Sequence, residues 1–275
     1  MLLSVKDLCI RFHSHSDKPV EAVKHVHFDL NEGEVLAVVG ESGSGKSVTT
    51  LSLTRLLPPA PQCALLGEIH FNGGDNLLKF SERQLQKIRG GGIAYIFQNA
   101  STALNPALTI GFQIAEAIRL HAPVKDVNAK VFEWLKKVGL NPERHFGAYP
   151  FQLSGGMQQR AMIAIALACA PKILVADEPT TALDVTLQNQ IIHLLKTLQK
   201  SEHIAIIFIT HNLSLIKNFA NRAIVMYNGE VVEQGSTEQI LKAPQHPYTQ
   251  ALIRCIPSLD HAERRLKTIE NYQIL

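Results

Sequence analysis

The chain has 275 residues, of which 46% are hydrophobic and 19% are charged, and this composition excludes a largely disordered protein. With 27 Lys and Arg against 24 Asp and Glu, the net charge of +3 is too small for a broad phosphate-binding surface, so we expect no nucleic acid partner. We expect no signal peptide, and the longest apolar run, residues 161–171, is about half of the ~20 residues that a membrane-spanning helix needs.

Apolar residues near the N-terminus alternate with polar ones and predict two half-buried strands, over residues 5–12 and 26–30. Together they indicate an antiparallel sheet. A continuous apolar run follows at residues 34–39 and predicts a fully buried strand. After a glycine-rich loop, a helix is predicted over residues 47–57, ending before Pro58.

Three further apolar runs predict buried strands, over residues 93–97, 173–176 and 204–209, and a helix is predicted over 186–199. Strands that alternate with helices along the chain are typical of a parallel sheet. The sequence therefore predicts an α/β core.

The stretch from residue 99 to residue 170 contains no further buried-strand run. Helices are predicted there over residues 110–120, 125–138 and 157–170. We interpret residues 99–170 as a helical subdomain that is inserted into the α/β core.

The loop after the first buried strand reads Gly-Glu-Ser-Gly-Ser-Gly-Lys-Ser at residues 40–47 and matches the phosphate-binding pattern GxxxxGK[ST]. Glycines let the backbone N–H groups turn toward phosphates without Cβ clashes. We expect Lys46 to reach the β- and γ-phosphates and Ser47 to ligate Mg²⁺. A glycine-rich turn that binds nothing is the alternative. The predicted nucleotide-binding residues of this P-loop are Gly40, Glu41, Ser42, Gly43, Ser44, Gly45, Lys46, Ser47 and Val48.

Two adjacent carboxylates follow the apolar run at residues 173–176. Asp177 is predicted to hold Mg²⁺ through its water shell, because Mg²⁺ gives up water reluctantly. Glu178 is then the candidate general base that polarises the attacking water. The alternative is a pair of acidic residues that caps the next helix.

A second candidate anion site lies in Leu-Ser-Gly-Gly-Met at residues 153–157, where Ser154, Gly155 and Gly156 open a predicted helix. With this motif the sequence resembles the ATP-binding subunits of ABC transporters, in which ATP lies between the P-loop of one subunit and the LSGGQ-like signature of another. Met157 stands where that family commonly has Gln. We expect the change to be tolerated, because Ser154, Gly155 and Gly156 make the phosphate contacts.

The resemblance implies a fold and a division of the chain. The fold is a P-loop NTPase (RecA-like) α/β core with an N-terminal antiparallel β-subdomain and an inserted helical subdomain. Residues 1–98 and 171–235 would form the core with its β-subdomain. Residues 99–170 would form the helical signature subdomain, and residues 236–275 a C-terminal tail.

The resemblance also implies roles for single residues. Gln98 matches the glutamine that senses Mg²⁺ and the attacking water, and His211 matches the histidine that contacts the γ-phosphate. Residues 182–184 resemble the loop that crosses the dimer interface. Phe12 resembles the aromatic that stacks on adenine. A capping or surface role for His211 and a core role for Phe12 are the alternatives.

Residues 97–106, Phe-Gln-Asn-Ala-Ser-Thr-Ala-Leu-Asn-Pro, resemble the FQDPxxxLNP segment of peptide and nickel importers. Residues 246–252 and 256–260 resemble the C-terminal segment of the same importers. The resemblance therefore implies an ATP-hydrolysing subunit that powers import of dipeptides or oligopeptides. A nickel or metal-chelate importer and an ABC ATPase that acts on nucleic acid or ribosomes are the alternatives. A small-molecule P-loop kinase would have no use for the signature.

The implied cofactors and partners follow from this reading. The cofactors are ATP and Mg²⁺. The partners are two membrane-spanning permease subunits, a second homologous ATPase subunit in a heterodimer or homodimer, and indirectly an extracytoplasmic solute-binding protein. The chain would lie peripherally on the cytoplasmic face of the inner membrane.

The four cysteines, Cys9, Cys63, Cys169 and Cys255, are far apart in the sequence. Their spacing contains neither a CxxC metal motif nor a dense disulfide framework. We therefore expect a reducing, cytoplasmic setting. Many peptide-importer subunits carry a cysteine-rich iron–sulfur segment in the tail. Here the tail contains only Cys255, so the sequence does not support an iron–sulfur cluster.

Overall fold

A computed structural model of the chain describes residues 1–13, 19–122, 124–181 and 183–255. The strands are β1 Leu3–Phe12, β2 Val20–Leu30, β3 Val35–Val39, β4 Cys63–Phe71, β5 Ile93–Ile96, β6 Ile173–Asp177, β7 Ala205–Thr210, β8 Arg222–Tyr227 and β9 Glu230–Ser236. The helices are α1 Lys46–Ser52, α2 Glu82–Ile88, α3 Ala100–Ala103, α4 Ile110–His121, α5 Val127–Lys137, α6 Pro142–His145, α7 Gly155–Ala168, α8 Val185–Glu202, α9 Thr237–Lys242 and α10 Pro247–Arg254. Within these described ranges, no helix is both long and apolar enough to cross a membrane.

The chain divides into two compact units. Among the described residues, the first unit contains those up to residue 79 and those from 208 to 255, and the second contains those between 80 and 207. The chain passes from the second unit to the first within β7. The predicted domain boundaries at residues 98, 170 and 235 stay a prediction.

The first unit begins with an antiparallel sheet of strand order β2-β1-β4. Its buried face includes Leu3, Leu8 and Ile10 of β1, which are fully enclosed. The antiparallel pairing of β1 with β2 confirms the prediction. Strand β4 was not predicted, because its sequence CALLGEIHF does not alternate regularly between apolar and polar residues. Its burial pattern is irregular in the same way.

A second sheet of the first unit contains β3, β8 and β9. Strand β3 pairs in parallel with β8, and β8 pairs antiparallel with β9. All five residues of β3 are buried, as expected for a strand with both faces covered. The helix predicted over residues 47–57 is shorter than expected and ends at Ser52. The amide of Leu56 bonds to the carbonyl of Leu51, and Arg55 takes a left-handed φ of 52°, a geometry that terminates a helix.

The second unit contains a parallel pair, β5 and β6, and the helices α2 to α8. Helices α4, α5 and α7 pack against one another. Side-chain caps begin several helices of this unit; for example, Thr109, Asp126 and Asp184 each accept a bond from the first turn of α4, α5 and α8. The helices predicted near these positions are confirmed to within a few residues.

The described part of the predicted tail is helical. Residues 237–242 form α9 and residues 247–254 form α10, in which Tyr248 is fully buried. The importer-like segment 256–260 lies outside the described residues, as does Ala182 of the predicted dimer-interface loop.

Candidate nucleotide-binding site

The P-loop connects β3 to α1 in the first unit. Gly40, Gly43 and Gly45 have φ values of 151°, 82° and 100°. A Cβ on Gly40 would lie 2.2 Å from the carbonyl oxygen of Met226, and a Cβ on Gly45 would lie 2.7 Å from the carbonyl oxygen of Ala22. Only glycine fits at these two positions, because the loop backbone packs directly against the backbone of β8 and β2 there.

Lys46 points back into this loop. Its Nζ donates hydrogen bonds to the carbonyl oxygens of Gly40 and Glu41, at 2.9 and 2.6 Å, and the residue is only 5% exposed. An ammonium group that is surrounded by loop carbonyls can exchange them for phosphate oxygens, which form stronger charge-assisted bonds. The structure thus places the positive charge of Lys46 inside the P-loop.

Two serines of the loop supply further polar atoms. The hydroxyl of Ser44 is buried and has no hydrogen-bond partner among the described residues. An unsatisfied buried hydroxyl is costly, and a phosphate oxygen would satisfy it. Ser47 is the second residue of α1, and its hydroxyl is the hard oxygen ligand that Mg²⁺ prefers. The loop residues therefore fit a polyphosphate with its metal ion.

The C-terminal helix α10 contacts the P-loop. The backbone N–H of Glu41 donates to the Tyr248 hydroxyl oxygen at 3.0 Å, and the Tyr248 ring packs on that of Tyr227 with centroids 4.2 Å apart. Burial raises the pKa of Tyr248 to about 12, so the phenol is neutral near pH 7. Sequence reasoning missed this contact, although the motif that contains Tyr248 was recognised as importer-like.

In the second unit, the predicted base lies just after β6. Glu178 has a left-handed φ of 46°. Its Oε2 accepts hydrogen bonds from Gln98 Nε2 at 3.0 Å and from Thr181 Oγ1 at 2.8 Å. The structure therefore brings Gln98 and Glu178 together, and two donors fix the orientation of the carboxylate.

Asp177 is the last residue of β6 and precedes Glu178 directly. Its carboxylate and the amide oxygen of Gln98 are oxygen ligands that suit Mg²⁺. Ser47 belongs to the first unit, and Asp177 and Gln98 belong to the second. The predicted metal-ligating residues thus have the right chemistry, and their joint coordination of Mg²⁺ stays a prediction.

The signature residues lie at the start of α7. Ser154 is the N-cap residue, and its hydroxyl makes no capping bond to the first turn. Gly155 is exposed, whereas Gly156 is buried so closely against Leu187 of α8 that a Cβ would lie 3.3 Å from a methyl group. The hydroxyl of Ser154 is therefore not used to cap its own helix, and the exposed glycine beside it leaves the backbone accessible.

The side chain of Gln113 in α4 forms hydrogen bonds to the loop that begins with Leu104-Asn105-Pro106, which resembles LNP of the importers. This side chain accepts a bond from the amide of Asn105 and donates to the carbonyls of Asn105 and Leu108, at 3.0 to 3.1 Å. Gln113 is buried, and its three bonds give the loop a defined shape.

His211 and Phe12 lie at strand ends of the first unit. His211 directly follows β7 and is exposed. Phe12 is the last residue of β1, is half-buried, and pairs with Val20 on one side and Cys63 on the other. The predicted contact of His211 with the γ-phosphate and the predicted stacking of Phe12 on adenine stay predictions.

Comparison with known proteins decides the family. Residues 23–181 match the ABC transporter family, and residues 232–274 match the C-terminal region of oligopeptide/dipeptide transporters. The chain belongs to the ABC transporter family. The first match covers more than half of the chain and contains the P-loop, the signature and the two carboxylates at the end of β6.

Individual relatives agree with this assignment. The oligopeptide transport ATP-binding protein OppD of Bacillus subtilis is 47% identical over 262 residues, which are 94% of this chain and 73% of that protein. The dipeptide transport ATP-binding protein DppD of Escherichia coli K12 is 45% identical over 271 residues, 98% of this chain and 82% of that protein. These similarities confirm the prediction of an ATP-binding, ATP-hydrolysing subunit of an ABC transporter.

A solved structure confirms the predicted fold class. The ATP-binding cassette MJ0796, described as a dimer in a post-hydrolysis state with bound ADP and Pi, aligns with a TM-score of 0.75 and 30% identity. The alignment covers 86% of this chain and 99% of the cassette. The P-loop NTPase fold of the ABC ATPases is therefore the fold of this chain.

Proposed function

We propose that this chain hydrolyses ATP to power an importer of dipeptides or oligopeptides. The observation that carries the proposal is the presence, in one chain, of the P-loop and the oligopeptide/dipeptide transporter C-terminal region. The hydrogen bond between Glu41 and Tyr248 connects the two, so helix α10 of the C-terminal region contacts the P-loop that we propose binds ATP. OppD and DppD, which are similar over nearly the whole chain, are named for oligopeptide and dipeptide transport.

In this proposal the phosphates of ATP bind the backbone of the P-loop, and Lys46 contacts the β- and γ-phosphates. Ser47 and Gln98 would hold Mg²⁺ directly, and Asp177 would hold it through water. A bound ion would supply positive charge against the phosphate oxygens. Phe12 stacks on the adenine, where its half-buried position at the end of β1 leaves part of the ring accessible.

Glu178 is the proposed general base. It takes a proton from a water that attacks the γ-phosphorus, and the bond to the ADP oxygen breaks in line with the attack. Gln98 orients the carboxylate through the 3.0 Å bond, and His211 contacts the γ-phosphate. Since a strand-end carboxylate is held by two donors, little reorganisation is required at the moment of reaction.

The complete site requires a second ATPase subunit. Ser154, Gly155 and Gly156 of this chain bind the γ-phosphate of a nucleotide held by the P-loop of that partner, and the partner's signature does the same here. The unused hydroxyl of Ser154 and the dimeric state of the MJ0796 cassette support this arrangement. We expect the partner to be a homologous but different subunit.

Transport also requires membrane subunits. We propose that two permease subunits recruit this chain to the cytoplasmic face of the inner membrane, and that a solute-binding protein delivers the peptide from the other side. Residues 98–106 would seat a short cytoplasmic helix of a permease subunit. The hydrogen bonds of Gln113 to Asn105 and Leu108 support this placement, because they give the loop a defined shape for a partner to bind.

The test is purification of the intact membrane complex through a tag on this chain, followed by reconstitution with its solute-binding protein. Mass spectrometry should identify a bound peptide, and ATP-driven uptake of labelled dipeptides or oligopeptides should follow. Uptake of nickel or a metal chelate without peptide uptake would overturn the proposal, and so would co-purification with RNA or ribosomes in place of permease subunits.

A further inference from the structure

A cluster of three ligand-type side chains lies on the antiparallel sheet of the first unit. Asp7 and Cys9 belong to β1 and His25 belongs to β2, and one potential ligand atom from each lies within 4.8 Å of the others. His25 Nδ1 is 2.6 Å from Asp7 Oδ1 and 3.7 Å from Cys9 Sγ. None of these residues takes part in the nucleotide site described above.

The pairing of the two strands creates this cluster. Leu8 faces Val26 across the ladder, and the register shifts on both sides of that pair. Asp7 and His25 lie at these irregularities with left-handed φ values of 50° and 48°. Bulges of this kind redirect side chains. They turn Asp7 and His25 toward each other beside Cys9, whose Sγ accepts a bond from the His25 amide at 3.3 Å.

The donor set matches one class of metal ion. A thiolate sulfur, an imidazole nitrogen and a carboxylate oxygen are the three ligand types of Zn²⁺, whereas Mg²⁺ and Ca²⁺ take oxygen ligands. We propose that Asp7, Cys9 and His25 bind one Zn²⁺ ion, with water as the fourth ligand. The side chains of His25 and Asp7 are 74% and 62% exposed, so the ion enters directly from solvent and both side chains can adjust to it.

His27 supports the site without being a ligand. The backbone N–H of Asp7 donates to His27 Nδ1 at 3.1 Å, so the lone pair of this nitrogen is already engaged, and Nε2 lies 3.9 Å from Asp7 Oδ1. The bond holds the backbone of Asp7 in its unusual conformation. Partners of this kind, which position a metal ligand, affect metal affinity strongly.

Zn²⁺ binds ligands in their deprotonated forms, so His25 Nδ1 must present its lone pair to the ion. The Cys9 thiol gives its proton to the buffer and forms the Zn–S bond, while the Asp7 carboxylate replaces its hydrogen bond to His25 by a bond to the metal. No oxidation or reduction occurs.

The ion would connect β1 to β2, and β2 also supports the P-loop. A Cβ on Gly45 would meet the carbonyl oxygen of Ala22 and a methyl group of Val23, two residues that precede His25 on β2. A ligand that binds only the folded state stabilises it. We therefore expect Zn²⁺ to raise the melting temperature of the chain.

The experiment uses the full chain without a polyhistidine tag, free of nucleotide and treated with a chelator. Titration with Co²⁺ should produce a near-ultraviolet thiolate-to-cobalt absorption band that saturates at one ion per chain, and Zn²⁺ should displace it. Cys9→Ser should abolish the band. Cys9→Ser and His25→Gln should each weaken Zn²⁺ binding by at least about 10-fold. Cys63→Ser and His70→Gln, from neighbouring β4, are the matched controls and should bind like the wild type.

Absence of the thiolate band in the wild type, or unchanged Zn²⁺ affinity in both ligand variants, would overturn the proposal. Equal losses in Cys63→Ser and Cys9→Ser would also overturn it. If Cys9→Ser fails to fold because Cys9 is buried, His25→Gln decides the question, since that side chain is largely exposed. These readouts are independent of ATP hydrolysis and of peptide transport.

Discussion

Single side chains of the nucleotide site are held by hydrogen bonds within their own unit. Lys46 donates to two P-loop carbonyls, and Glu178 accepts from Gln98 and Thr181. Side chains that are already oriented lose little conformational freedom when substrate binds, so little free energy is spent on reorganising them. In the proposed mechanism Lys46 acts in ATP binding and Glu178 in the chemical step, so separate substitutions should separate the two.

Lys46→Ala should weaken ATP binding severely. The bound phosphates lose a charge-assisted contact worth about 1.5–3 kcal/mol, which corresponds to roughly 10- to 150-fold in affinity. Titration calorimetry with ATP measures the effect. Lys24→Ala is the control, because Lys24 belongs to the same unit and forms only a surface ion pair with Glu230. An unchanged affinity in Lys46→Ala would remove Lys46 from the phosphate site.

Glu178→Gln should separate binding from hydrolysis. The amide keeps the shape of the side chain and an oxygen that accepts bonds from Gln98 and Thr181, but it cannot take a proton. ATP affinity should remain within a few-fold, and turnover of the assembled complex should fall by about 100-fold or more. Glu116→Gln, at an exposed position of α4, is the control. Turnover near the wild-type value would assign the base to another residue.

At the scale of elements, the C-terminal region is part of the first unit. The amides of Gln245 and His246, just before α10, donate to the carboxylate of Glu233 in β9 at 2.8 and 3.0 Å. Burial alone would raise the pKa of Glu233, but these bonds outweigh it and the pKa is lowered. These contacts fix the start of α10 and thereby place Tyr248 against the P-loop.

Tyr248→Phe tests this contact. The ring can still pack on Tyr227, but the partly buried backbone amide of Glu41 loses its acceptor, at a cost of about 0.5–1.5 kcal/mol. Each kcal/mol should lower the melting temperature by about 2–4 °C, and ATP affinity should fall because the P-loop is less well ordered. Calorimetry and ATP titration measure both effects.

Tyr227→Phe is the matched control for Tyr248→Phe, since it removes a hydroxyl from the same ring pair but not the one that bonds to Glu41. It should leave both values near those of the wild type. Identical melting temperatures and ATP affinities for the two variants would contradict a role of Tyr248 in holding the P-loop.

At the scale of the whole molecule, one chain contains both motifs of the proposed nucleotide sandwich, the P-loop and the signature. The P-loop belongs to the first unit and the signature to the second. If each nucleotide is closed by the signature of a partner, the isolated chain should be mainly monomeric at low concentration and hydrolyse ATP slowly. Activity should then rise steeply when the second ATPase subunit and the permease subunits are added.

Ser154→Arg in this chain, combined with a wild-type partner, tests the sandwich directly. The added bulk and charge should block the partner's nucleotide site and lower its hydrolysis, while ATP binding at this chain's own P-loop stays largely unchanged. Ser201→Arg, at an exposed position near the end of α8, is the control for the substitution itself. Loss of binding at this chain's own P-loop would contradict the arrangement.

Local features could be predicted from the sequence because neighbouring residues determine them. The P-loop needs glycines at particular positions next to a lysine, so its sequence pattern identifies it. A continuous apolar run likewise predicts β3. The capped helices α4, α5 and α8 were predicted to within a few residues. The end of α1 and the existence of β4 could not be predicted, because a left-handed turn at Arg55 ends the helix and β4 has no regular alternation.

Only the tertiary structure decided which distant side chains meet. Gln98 and Glu178 are 80 residues apart and share a hydrogen bond, and Glu41 bonds to Tyr248 across 207 positions. The spacing of Cys9 from the other cysteines predicted no metal motif or disulfide, yet bulges in the pairing of β1 with β2 place Cys9 beside His25. The physical reason is that strand register and helix packing set such contacts, and a shift of one residue in register would turn each side chain to the opposite face.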